Sequence, residues 1–266
     1  MRKICFKIHR WLSIPLGVFM SILCFTGFIL LFNEEIAAAF GQDSRQMPFL
    51  MALRQLHRWL FIVPENPHGG LSLGRIVTAV SSMCMTLVLL TGVVIWWPKN
   101  KKMLKNRLTV NTGKGFRRFV HDTHVSLGIY AFIFLFLMSI TGPVFSFGWY
   151  RQGMSKLLGQ KSENKEMMIK KGGDKQMATG EHAFNKNKFK QKNLQPVGLQ
   201  ENHHMKGGAQ GKKPQGVVLF KSLHMGTWAG WVSKILYALA ALIGGFLPIS
   251  GYYMWWKRNH NKQINA

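Results

Sequence analysis

Four long apolar runs constrain this chain more than any other feature. Ser13 to Phe32, Ile76 to Trp97, Val125 to Phe147 and Trp231 to Trp256 are each about 20 residues or longer. At about 1.5 Å rise per residue, each is long enough to cross a hydrocarbon core about 30 Å thick. Stretches such as Val125 to Met138 are apolar on every face, which a half-exposed helix of a water-soluble domain does not tolerate. The expected fold is therefore an all-α integral membrane protein with four transmembrane helices. Arg2, Lys3, Lys7 and Arg10 before the first run resemble the start of a secretory signal. The run nevertheless meets Asn33-Glu34-Glu35 rather than a small-residue cleavage site, and it is expected to remain as an anchor.

The runs come in two similar pairs. Thr91-Gly92-Val93-Val94-Ile95-Trp96-Trp97 closes the second and Ser250-Gly251-Tyr252-Tyr253-Met254-Trp255-Trp256 closes the fourth. Leu56-His57 and Leu223-His224 stand upstream of these two runs. A duplicated unit divides the chain into a first helix pair at 1–98, a basic connection at 99–118, a second pair at 119–258 and a short tail at 259–266. The second pair carries an inserted loop of about 148–223, expected to be largely irregular. From about Gln152 to Gln215 that loop is rich in Lys, Asn, Gln and Gly and poor in apolar side chains.

Lys and Arg in short loops mark the cytoplasmic side of a membrane protein. The N-terminal tail, the acid-free stretch from Lys99 to Arg118 and Lys257-Arg258 all qualify, so both termini are expected to be cytoplasmic. The segments 33–72 and 148–223 then face outward. The latter is lysine-rich, but long loops translocate largely regardless of charge. The formal charge of +25 has no nucleic-acid recognition motif beside it, and anionic lipid headgroups are its expected partner. Cys5, Cys24 and Cys84 are isolated and read as small packing residues. With no Cys-x-x-Cys-His in the chain, covalent haem attachment is excluded.

The histidines carry the chemistry. His9 and His124 each begin a span, each is followed four residues later by a small residue, and each precedes a Thr-Gly pair by seventeen residues: Thr26-Gly27 and Thr141-Gly142. This common spacing puts them at equivalent depths near the cytoplasmic surface. His57 and His224 are their counterparts near the external surface. A single interfacial histidine is more often structural than a ligand. Four in a duplicated frame point instead to two axial pairs, with a small residue one turn away leaving room for a flat macrocycle. His121, one turn before His124, is an alternative ligand or a partner for a haem propionate.

These residues resemble a known family. Leu/Ile-His-Arg-Trp-Leu before a first span ending in Thr-Gly, Asp-x-His-x-x-x-Gly before the third, Leu-His-x-Gly-x-Trp before the last and Thr/Ser-Gly-x-x-x-Trp-Trp at two exits look like the PepSY-associated transmembrane proteins. Within them the chain is most similar to inner-membrane reductases of ferric siderophores. The resemblance implies a four-helix protein of the bacterial inner membrane that binds haem b, two per chain, through His9, His124, His57 and His224. It also implies delivery of electrons to a periplasmic ferric siderophore or other ferric chelate. Family members often carry folded modules between the third and fourth spans, whereas this segment is short and lysine-rich.

No Gly-x-Gly-x-x-Gly turn or nucleotide-binding domain is present, so electrons must arrive from membrane quinol or a separate cytoplasmic reductase. His203-His204-Met205, with His182 upstream, would suit copper or transient iron contacts, although chance histidines in a solvated loop explain them as well. The competing class is a non-catalytic membrane component, or a permease-like partner of a siderophore or iron uptake system. A visible haem spectrum separates the two.

Overall fold

The structure is a computed structural model describing residues 1–63, 72–159 and 215–264, all the described regular structure being helical. We label the helices α1 (Arg2–Leu31), α2 (Asn33–Ala39), α3 (Pro48–Trp59), α4 (Leu73–Trp96), α5 (Lys101–Leu108), α6 (Phe116–Thr141), α7 (Gly148–Leu157), α8 (Gln215–Met225) and α9 (Gly230–Ile264). A short 3-10 turn, Gly142–Phe145, follows α6. Four segments are long and apolar enough to cross a membrane: Arg2–Leu31, Leu73–Trp96, Phe116–Phe145 and Gly230–His260. The four expected spans lie within them or overlap them closely. At the basic end the helices run past the apolar stretches, because nothing between Arg2 and Ile14 or between Phe116 and Val125 interrupts hydrogen bonding. The expected irregular loop shows helices at both described edges, α7 and α8. Most of its interior, including His182 and His203-His204-Met205, lies outside the described residues.

Helix α1 packs along α4 and α9, and α6 packs along the same two, so α1 and α6 face each other across a four-helix bundle. Glycine permits the closest approaches. A Cβ at Gly244 would stand 2.6 Å from Leu135 and 3.0 Å from Cys24, and one at Gly245 would stand 2.7 Å from Phe25. Cys24, Ala131, Leu135 and Ala240 form the apolar core at this level, with Leu89 and Leu247 packed against it. Pro248 has no N–H to give the Gly244 carbonyl, and Ser21 Oγ of α1 donates to the adjacent Gly245 carbonyl at 2.9 Å.

Short helices close the end opposite the termini. Helix α3 is amphipathic and docks on α1 and α4 with Leu50 fully buried. Gly74 makes this docking possible, since a Cβ there would lie 1.7 Å from the Trp59 carbonyl oxygen. Thr78 Oγ1 also donates to the Arg58 carbonyl at 3.2 Å. Helix α8 turns into α9 through Gly226, whose φ of +63° and contact with the buried Tyr237 ring admit only glycine. Lys234, the one charge within the fourth apolar run, pairs with Glu35 of α2.

Candidate functional site

Each of the four expected histidines rests against a Thr-Gly or Ser-Gly pair of a neighbouring helix. His9 of α1 lies on Thr91-Gly92 of α4, and His124 of α6 lies on Ser250-Gly251 of α9. At the other end, His57 of α3 lies on Thr26-Gly27 of α1, and His224 of α8 lies on Thr141-Gly142 of α6. A Cβ on the glycine would approach the imidazole Cε1 at 3.1 Å for Gly27, 3.3 Å for Gly92 and 3.9 Å for Gly142 and Gly251. The two halves of the chain therefore repeat one device twice, which relates α1, α3 and α4 to α6, α8 and α9.

The hydroxyls settle the tautomer. Each one donates its single proton to its own helix: Thr26 to Ile22 O at 2.6 Å, Thr91 to Leu87 O at 2.9 Å, Thr141 to Leu137 O at 2.6 Å and Ser250 to Leu247 O at 2.8 Å. A hydroxyl so engaged can only accept from the histidine. Nδ1–H therefore donates in all four cases, at 3.3 Å from His9, 2.8 Å from His57, 2.7 Å from His124 and 3.0 Å from His224. Two of these protons also reach a backbone carbonyl, His9 at Val88 O (2.9 Å) and His224 at Met138 O (3.1 Å). Among the described residues no hydrogen bond engages any of the four Nε2 atoms. A neutral imidazole with Nδ1–H anchored and Nε2 bare is the form that a metal-binding histidine takes, its other nitrogen fixed by a hydrogen bond.

The rings also meet in pairs. His9 and His124 face across the bundle with ring centroids 6.4 Å apart and planes at 85°. His57 and His224 do the same at 6.4 Å and 60°. Two metal–nitrogen bonds of about 2 Å, plus roughly 1.1 Å from each nitrogen to its ring centre, span about 6.2 Å, so both separations fit one metal ion held between two imidazoles. Burial pushes His57 and His224 down to about 4, and the neighbouring His224 and Arg58 add to the effect on His57, so both rings are neutral at ordinary pH. Phe145 packs edge-on against His224 at 5.4 Å. At the end of the bundle that holds the other pair, Trp96 Nε1 and Thr123 Oγ1 are buried without a hydrogen-bond partner.

His121 stands apart from the paired rings. Its side chain is 54% exposed and Nδ1 lies 3.1 Å from Asp122, which also holds Arg118 at 2.8 Å. His121 lies one turn before His124 on the same helix face, and its contact with the Asp122 carboxylate engages its Nδ1 outside the pair. The small residues four positions after His9 and His124 also have another role. Ser13 bonds back to the Arg10 carbonyl, and Gly128 faces Leu247 at an ordinary 3.8 Å. The imidazoles are accommodated by the glycines of the Thr-Gly and Ser-Gly pairs, which the sequence displayed as span endings. Their recurrence beside four histidines was the available signal.

No curated protein matches the chain, and no solved structure does. The family described as PepSY-associated TM region matches residues 6–48 and 39–258, a range that holds all four histidines and all four hydroxyl-glycine pairs. The chain belongs to the PepSY-associated TM region family.

Proposed function

We propose that this protein is a haem b-bearing transmembrane electron carrier that reduces ferric chelates, siderophore-bound iron among them, in iron acquisition. One observation carries the reading: two facing imidazole pairs at opposite ends of one bundle, every Nδ1–H committed and every Nε2 without a hydrogen bond among the described residues. His9 and His124 would hold one haem, and His57 and His224 a second. When bound, such a group supplies a one-electron ferric/ferrous couple whose potential follows axial ligation and burial.

The chain's own residues fix the rest. Thr91, Ser250, Thr26 and Thr141 lock the tautomer and aim each ring, and the Cys24, Ala131, Leu135 and Ala240 cluster keeps the interior apolar. Along α1 the two pairs are separated by the seventeen residues from His9 to Thr26, about 26 Å of helix and close to the hydrocarbon thickness. Basic residues of α1, α5 and the end of α9 gather beside the first pair, which supports a cytoplasmic position for that end and for both termini in a bacterial inner membrane. On this reading quinol or a cytoplasmic reductase donates at the His9/His124 end, and the ferric chelate accepts at the His57/His224 end.

The test is a reduced-minus-oxidised absorbance spectrum of the purified protein with pyridine-haemochrome quantification, followed by ferric-chelate reduction in proteoliposomes. The expected result is about two haems b per chain, with ferrous iron released on the His57/His224 side. A haem-free protein after expression with adequate haem supply would overturn the reading and favour the non-catalytic uptake partner.

A further inference from the structure

A second site lies beside the first histidine pair without including it. Helices α1, α4, α5 and α9 border an open cavity of about 490 Å³ lined by Arg2, Lys3, Lys7, Arg10, Arg107 and Arg258. Six cations around one cavity need counter-charge, and little is at hand. The acids among the described residues are Glu34, Glu35, Asp43 and Asp122. Only Asp122 belongs to this end of the bundle, and Arg118 and His121 already engage it.

The four arginines are held in place rather than free to splay apart. Arg2 donates to the carbonyls of Ile95 (2.8 Å) and Trp97 (2.6 Å), and Arg107 donates to Ile95 (2.8 Å) and Trp96, so both close the C-terminal end of α4. Burial and then the adjacent Arg2 push the Arg107 guanidinium below its usual value, which reports crowding of like charge. Arg10 and Arg258 both stack on Phe6, at 5.6 and 5.9 Å, and Arg10 Nε is buried without a hydrogen-bond partner. Phe6 and Ile95 supply an apolar side to the cavity. Ile4, Ile8 and Trp11 of the same helix are exposed, as expected of residues facing lipid.

We propose that this cavity binds a phosphate-bearing anion, with an anionic phospholipid headgroup as the source its position favours. Paired guanidiniums recognise phosphate oxygens, the lysines add point charge, and the Phe6/Ile95 side accommodates the start of an acyl chain. The proposal is independent of whether the histidine pairs hold haem.

The test is native mass spectrometry of the full chain in zwitterionic detergent, titrated with dioleoyl phosphatidylglycerol or dioleoyl phosphatidylcholine, with inorganic phosphate as competitor. Lys7 and Arg258 are the residues to change, because they cap no carbonyl. The expected result is about tenfold or greater preference for phosphatidylglycerol, reduced about tenfold in the Lys7→Gln/Arg258→Gln variant. The conservative Lys7→Arg/Arg258→Lys variant should restore it. Should the double variant misfold, the single variants Lys7→Gln and Arg258→Gln should each show a partial loss. Displacement by equimolar inorganic phosphate would identify the soluble anion as the source within the same proposal. Equal binding of the two lipids, or glutamine variants that bind phosphatidylglycerol like the parent chain, would overturn it.

Discussion

The two ends of the bundle use the same device in different structural settings. At the basic end both histidines belong to long helices, His9 on α1 and His124 on α6, and their partners Thr91 and Ser250 belong to α4 and α9. That pair is fixed by the register of the spans themselves. At the other end the partners Thr26 and Thr141 belong to spans, but His57 and His224 belong to the short helices α3 and α8. Their position depends on docking contacts such as Gly74 beneath Trp59 and Gly226 beneath Tyr237. The difference predicts one site robust to local change and one that can be altered through its connections.

The largest expected effect separates the ends outright. His57→Ala or His224→Ala should reduce haem from about two per chain to about one, and His9→Ala or His124→Ala should remove the other. Pyridine-haemochrome analysis counts them, and a full complement in any of these variants would break the pairing. The next effect concerns the glycines. Gly27→Ala would force a methyl to 3.1 Å from His57 Cε1, whereas Gly251→Ala would meet His124 at an ordinary 3.9 Å. Gly27→Ala should weaken haem retention at its end roughly tenfold while Gly251→Ala stays near the parent protein. Haem release to an apo-myoglobin scavenger measures both.

Removing a hydroxyl should act on a comparable scale, through the ring's hydrogen bond rather than its space. Thr26→Val takes away the acceptor that holds His57 Nδ1–H, and at least about tenfold weaker haem retention is expected. Thr91→Val should cost less, because His9 keeps the Val88 carbonyl at 2.9 Å. Spectroelectrochemical titration of both variants should show the larger change in potential for Thr26→Val. The smallest effect belongs to the ion pair of Glu35 and Lys234, which ties α2 to α9. Glu35 is 36% exposed, so Glu35→Gln should lower stability by at most about 1 kcal/mol, measurable as a small loss of thermal stability with haem content unchanged.

The sequence made the spans legible because an all-round apolar run has few other uses, and the duplicated spacing of His9 and His124 before Thr-Gly announced their equivalence. The pairing of His9 with His124 and of His57 with His224 followed from depth alone. What the sequence did not disclose was the function of the Thr-Gly and Ser-Gly pairs. Each hydroxyl bonds to a histidine 31 to 126 residues away by chain and on another helix, a relation that no local period encodes. Docking of α3 was hidden for the same reason, since its amphipathic pattern fits a membrane surface as well as a bundle. The role of Arg2 and Arg107 at the end of α4 was masked by a second explanation, because basic residues at that end already satisfied the topology rule.

On the proposed reading His9 with His124, and His57 with His224, would each hold one haem iron. Low-temperature electron paramagnetic resonance of the oxidised, haem-loaded protein tests it most directly. The account predicts two low-spin bis-imidazole ferric signals, one lost in His9→Ala and the other in His57→Ala. A high-spin spectrum, or low-spin signals that survive both substitutions, would contradict it.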